Sequence, residues 1–80
     1  MPGISQSGNK THDDAVLASE KTLAAALAGT PTQAAINTAH LAHFATVRDS
    51  ANNNGLTNVA AYFEQARKTL ARYGNNAPNC

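Results

Sequence analysis

Three stretches of the chain carry apolar residues at three- and four-residue spacing, with Gly29-Thr30-Pro31 and Asn54-Gly55 breaking the pattern between them. That periodicity predicts helices rather than strands, because residues three and four apart share one face of a helix. The first helix is expected over about 11–28. Thr11 is placed to cap it, and Asp13 and Asp14 put negative charge on the first turn, where the helix dipole favours it. Gly29 suits the left-handed turn past its end. The second helix is expected over about 31–53, with Thr30 as cap, Pro31 at the first helical position and Gln33 completing a capping box. Gly55 is suited to close it at positive φ, with Leu56 folding back as the apolar contact. The third helix is expected over about 57–73, capped by Thr57 or Asn58. Its apolar stripe is Val59, Tyr62, Phe63, Ala66, Leu70 and Tyr73, and Lys68 and Arg72 lie opposite.

Short connections between helices imply antiparallel neighbours. The fold class is therefore all-α: three antiparallel helices as a small bundle, or a helical hairpin with a third helix that another subunit completes. The helical domain is expected over 11–74, between a polar N-terminal tail, 1–10, and a C-terminal tail, 75–80.

Composition changes this picture in one respect. Hydrophobic residues make up 42% of the 80 residues, but 17 of them are alanine, which favours a helix and buries little surface. A chain this short buries only about 60% of its unfolded surface and is marginal without help. Cys80 is the only cysteine, so no disulfide forms within one chain. The side surfaces of the first two helices, at Ala24, Ala25, Ala28, Ala34, Ala35, Ala42 and Ala45, are small and nearly flat. They suit tight packing inside the bundle or against a neighbouring subunit. Ile4 in the N-terminal tail and the outer edges of Tyr62 and Tyr73 are the expected anchors for such a neighbour.

Charge narrows the partners. A net charge of +1 with 14% charged residues is a thin supply for phosphate contacts. No run of 18 apolar residues exists, so no membrane partner is expected. The N-terminus lacks the positive start and apolar core of a signal peptide. The expected location is cytoplasmic, or inside a virion for a viral chain.

The most suggestive chemistry is Ala39-His40-Leu41-Ala42-His43-Phe44, two histidines three residues apart on one helix. Mirroring positions about the Gly29-Thr30 turn sets Glu20 opposite His40 and His12 opposite Val47 or Arg48. The simplest reading is a Glu20–His40 hydrogen bond in a half-buried seam. It makes His40 more protected than His12 and raises its pKa through the carboxylate. The sharper reading is a metal site using His40, His43 and Glu20, completed by a second chain, since zinc takes three or four protein ligands. The second and third helices also admit a helix-turn-helix reading, with Asn58, Gln65, Lys68 and Arg72 facing bases and Arg48 and Arg67 facing phosphates. No cofactor is expected, for no glycine-rich phosphate loop is present.

The leading expectation is a non-enzymatic structural or interaction subunit of a multi-copy assembly, such as a phage or viral particle, working with other protein chains. The alternatives are a small DNA-binding regulator and a histidine-based metal or ligand binder.

Overall fold

A computed structural model describes residues 8–73, and Ile4 and both chain ends lie outside them. Three helices follow one another: α1, Lys10–Ala26; α2, Gln33–Asn53; and α3, Thr57–Tyr73. The all-α class and the helix count agree with the sequence pattern. The helix boundaries differ from it at three places.

Helix α1 starts one residue early because Asn9, not Thr11, is the cap. Asn9 Oδ1 accepts from the His12 N–H at 2.9 Å, and Asn9 O accepts from the Asp13 N–H at 2.9 Å. Asparagine outranks threonine as a cap, and Thr11 is left inside the first turn. The helix also ends two residues early. Leu27 N–H reaches Leu23 O at 3.0 Å and Ala28 N–H reaches back only three residues, to Ala25 O at 3.3 Å. This tightened last turn feeds Gly29, at φ +80°.

Helix α2 begins two residues late. Thr32, extended at φ −68° and ψ 161°, is the cap, and its hydroxyl accepts from the Ala35 N–H at 3.1 Å. Gln33 turns forward to Asn37 at 3.0 Å instead of closing a capping box. Thr30 and Thr32 offer the same capping chemistry. Capping at Thr32 leaves residues 27–32 to carry the chain across to the neighbouring helix.

Gly55, at φ +72°, closes α2 as expected. Its N–H donates to Asn52 O at 3.2 Å, and Leu56 N–H donates to Ala51 O at 2.8 Å, the two bonds of a Schellman motif. Leu56 O then accepts from the Ala60 N–H at 2.9 Å. Leu56 therefore ends one helix and opens the next, and Thr57, expected as a cap, is already helical.

Helix α2 is the middle element. It packs against α1 on one side and α3 on the other, while no α-carbon pair from α1 and α3 comes within 8 Å. Side chains still meet across that gap: Val16, Val47 and Phe63, one from each helix and all fully buried, form the core, with Phe44 and Val59 against it. Ala51 and Ala60 are buried as well, which lets α2 and α3 approach closely. No described helix is long and apolar enough to cross a membrane.

Candidate functional site

The buried stripe of α1 is His12, Val16, Ser19 and Leu23, spaced four, three and four residues apart. Two of its four members are polar. Each finds its partner across the α1–α2 seam: His12 Nδ1 lies 2.9 Å from Ser50 Oγ, and Ser19 Oγ lies 2.7 Å from His43 Nδ1. Each helix thus contributes one histidine and one serine, and the pairs flank Val16 on either side. His12 is fully buried and His43 is 2% exposed. In both rings Nε2 is buried and bonded to nothing, as is Oε2 of Glu20.

This arrangement corrects the expected seam. Glu20 does not pair with His40. His40 Nδ1 lies 2.9 Å from Ile36 O on its own helix, and since a carbonyl only accepts, Nδ1 carries the proton there. His43 makes the interhelical bond, and His12, expected to be less protected than His40, is the most buried of the three. The pKa of His43 is lowered, chiefly by burial. The Glu20 charge opposes the shift, the His40 charge adds to it, and the Ser19 backbone, through a hydrogen bond, opposes it. Among the described residues no three of His, Cys, Asp and Glu gather to hold a metal ion, so His40, His43 and Glu20 do not form a ligand set.

A serine beside an imidazole is the start of a nucleophilic site, but this pair lacks the rest. Both residues sit well inside helices, where backbone N–H groups are already bonded, so no donor stands ready for an oxyanion. Ser19 is 8% exposed, which closes it to a substrate carbonyl.

Two apolar grooves flank α2. One, of about 780 Å³, runs between α1 and α2 over Ala18, Thr22, Ala35, Thr38 and Ala42, with Ser19 and His43 in its lining. Ala35 and Ala42 are exposed here, as are Ala24, Ala25, Ala28 and Ala34 nearby, so most of the alanine surface is not spent inside the fold. Only Ala45 of that set is half-buried. The other groove, of about 730 Å³, lies between α2 and α3 and is lined by Ile36, His40, Phe44, Leu70 and the two tyrosines. Tyr62 is 63% exposed and Tyr73 47% exposed. Tyr62 stands edge-on to Phe63 with ring centroids 5.0 Å apart, so the core fixes one side of it and leaves the other open.

The basic residues of the helix-turn-helix reading converge on one carboxylate. Arg48 Nη1 lies 2.7 Å from Glu64 Oε1, and Arg67 bonds both Glu64 oxygens at 2.9 and 3.0 Å. Lys68 Nζ is 3.8 Å from the same carboxylate. The hydrogen bonds from Arg67 and then Arg48 pull the Glu64 pKa down to about 2. Arg72 instead lies over the Tyr73 ring, 5.3 Å from its centroid. Neither Glu64 nor the Ser19–His43 pair is singled out by the hydrophobic pattern. The signal that finds the pair is the 4-3-4 spacing of His12, Val16, Ser19 and Leu23, once polar residues are admitted to a buried stripe.

No family of known proteins, no curated protein and no solved structure matches this chain, so its own geometry carries the functional reading.

Proposed function

We propose that the chain is a non-enzymatic interaction subunit that works in a multi-copy assembly, with further copies of itself as the first partners. One observation carries this reading: the backbones of α1 and α3 each pack against α2 and make no close approach to each other, and apolar grooves stay open on both sides of the middle helix. Leu17, Tyr62 and Tyr73 are each about half exposed or more. Contiguous open apolar surface of this kind marks interaction sites on soluble proteins. The molecule measures 36 × 25 × 17 Å, so its broad face offers roughly 900 Å². A stable interface takes about 800 Å² from each partner. Aromatic side chains anchored on one edge, as Tyr62 is, are the residue type that dominates interface energies.

The alternatives find less support. A DNA reader needs cations free to meet phosphates, and Arg48, Arg67 and Lys68 are gathered around Glu64. A metal binder needs His40 and His43 turned to a common point, and they bond Ile36 and Ser19 instead.

Sedimentation velocity and thermal melts over a concentration series test the proposal. Mass and melting temperature are expected to rise together with concentration. The Tyr62→Ala/Tyr73→Ala double variant is expected to stay helical and shift toward monomer. A chain that remains monomeric at every concentration, with a constant melting temperature, overturns the reading.

A further inference from the structure

The interface between α1 and α2 differs in kind from that between α2 and α3. Between α1 and α2, apolar residues alternate with two histidine–serine bonds, that of Ser19 with His43 buried and that of His12 with Ser50 partly so. Between α2 and α3, Phe44, Val59, Ala60 and Phe63 pack together, and the ion cluster on Glu64 ties Arg48 of α2 to α3. Helix α1 has no backbone neighbour other than α2. We propose that the seam between α1 and α2 is an acid-released latch: protonation of His43 frees α1 while α2 and α3 stay together.

A neutral imidazole has one N–H and one lone pair. Nδ1 of His43 is committed to Ser19 Oγ at 2.7 Å, whichever of the two atoms donates. Nε2 is buried without a partner. Protonation makes both nitrogens donors, so a charged ring would hold at least one buried N–H with nothing to receive it. Burying an unsatisfied donor is costly, and a charged one more so. In water both donors are satisfied. Acid therefore favours whatever state brings the ring to water, and the shortest route there is separation of α1 from α2.

The groups acting on the ring are few. From α1, the Glu20 carboxylate favours the charged ring; from α2, His40 disfavours it; no charged group of α3 acts on it. Burial outweighs Glu20, and the His43 pKa is lowered from 6.5. The sign follows. Below pH 6.5 the released ring takes up a proton more readily than the buried one, so release is favoured as pH falls and the bias saturates once the buried ring itself titrates. Across that window the link between α2 and α3 keeps its charge, since the Glu64 pKa lies at about 2.

Hydrogen exchange read by mass spectrometry on the full chain tests the latch, at about pH 7.5 and about pH 5, with rates corrected for intrinsic exchange. The α1 amides are expected to lose protection at the lower pH relative to those of α3. His43→Gln keeps a polar partner for Ser19 and has no proton to gain, so it is expected to flatten that pH response. Equal loss from α1 and α3, or no change in α1, overturns the proposal. Should His43→Gln fail to fold, an NMR titration of the His43 ring in the unaltered chain decides. A midpoint below that of free histidine, coincident with the loss of α1 protection, supports the latch, and a midpoint at or above free histidine overturns it.

Discussion

Replacing Phe63 with alanine is the most direct trial of the packing argument. Phe63 is fully buried and is the one side chain of α3 in the three-helix core. It also stands against the Phe44 ring at 6.0 Å and the edge of Tyr62 at 5.0 Å. Truncating a buried phenylalanine to alanine costs about 3–5 kcal/mol, the larger values arising where the walls cannot close on the void. Here the neighbours that would have to close on it include Val16 and Val47, which are themselves fully buried. A chain of 80 residues has a total stability of roughly 4–12 kcal/mol at the usual value per residue. The substitution thus removes between a quarter and all of it. Urea unfolding followed by circular dichroism at 222 nm should show the variant less stable by about 3–5 kcal/mol. Tyr62→Ala is the companion, because it removes a ring of similar size that is 63% exposed, and its loss should be about 1 kcal/mol or less. A Phe63→Ala variant within about 1 kcal/mol of the unaltered chain, or a Tyr62→Ala variant equally unstable, would show that the core is not where the burial places it.

Further outcomes follow from single features. Thr32→Ala should lower stability by about 1 kcal/mol and Thr30→Ala by much less, because only the Thr32 hydroxyl caps α2; comparing the two melts checks this. Gly55→Ala should cost about 1–2 kcal/mol from the backbone alone, since φ is +72° and a new Cβ would meet nothing within 4 Å; Gly55→Asn should recover part of that loss in urea titrations. Glu64 has a depressed pKa, so the stability it lends is present above its unfolded value of 4.5 and is lost as pH falls toward about 2. Glu64→Gln should remove that acid limb and leave the one due to His43, which begins at pH 6.5, in a pH series of thermal melts. The same variant takes the carboxylate partner from Arg67 while Arg48 keeps Asp49, so any salt-sensitive retention on DNA should increase in it.

The helices and their turns are legible in the sequence because glycine and capping residues act locally. Gly55 closes α2 with a two-bond motif contained within residues 51–56. The seam is less legible because it depends on registration between helices. Mirroring about the turn assumes equal rise and no offset between the two helices, and it pairs Glu20 with His40. The actual pairs, Ser19 with His43 and His12 with Ser50, run about two residues further along. One residue is about 100° on a helix, so that slip exchanges a core-facing position for a flanking one. Reading burial from apolar residues alone also conceals a stripe whose second polar member, Ser19, is as buried as the leucine beside it. Exposure of the alanines is not legible locally at all, because it depends on how α1 and α2 are set against each other.

The two connections between helices differ in slack, and this governs where the chain tolerates change in length. Residues 27–32 form a strap: an insertion there lengthens a span that already wanders between two helix axes. Residues 54–56 form a rigid elbow, because Leu56 closes α2 with its N–H and opens α3 with its carbonyl. No residue in the elbow is spare. One added residue would turn α3 by about 100° about its own axis and carry Phe63 off the core. The rotational phase of α3 is thus inherited directly from the last turn of α2, before any side chain packs. A tag, a cleavage site or a grafted loop belongs in the strap, where the rest of the molecule would not register its arrival.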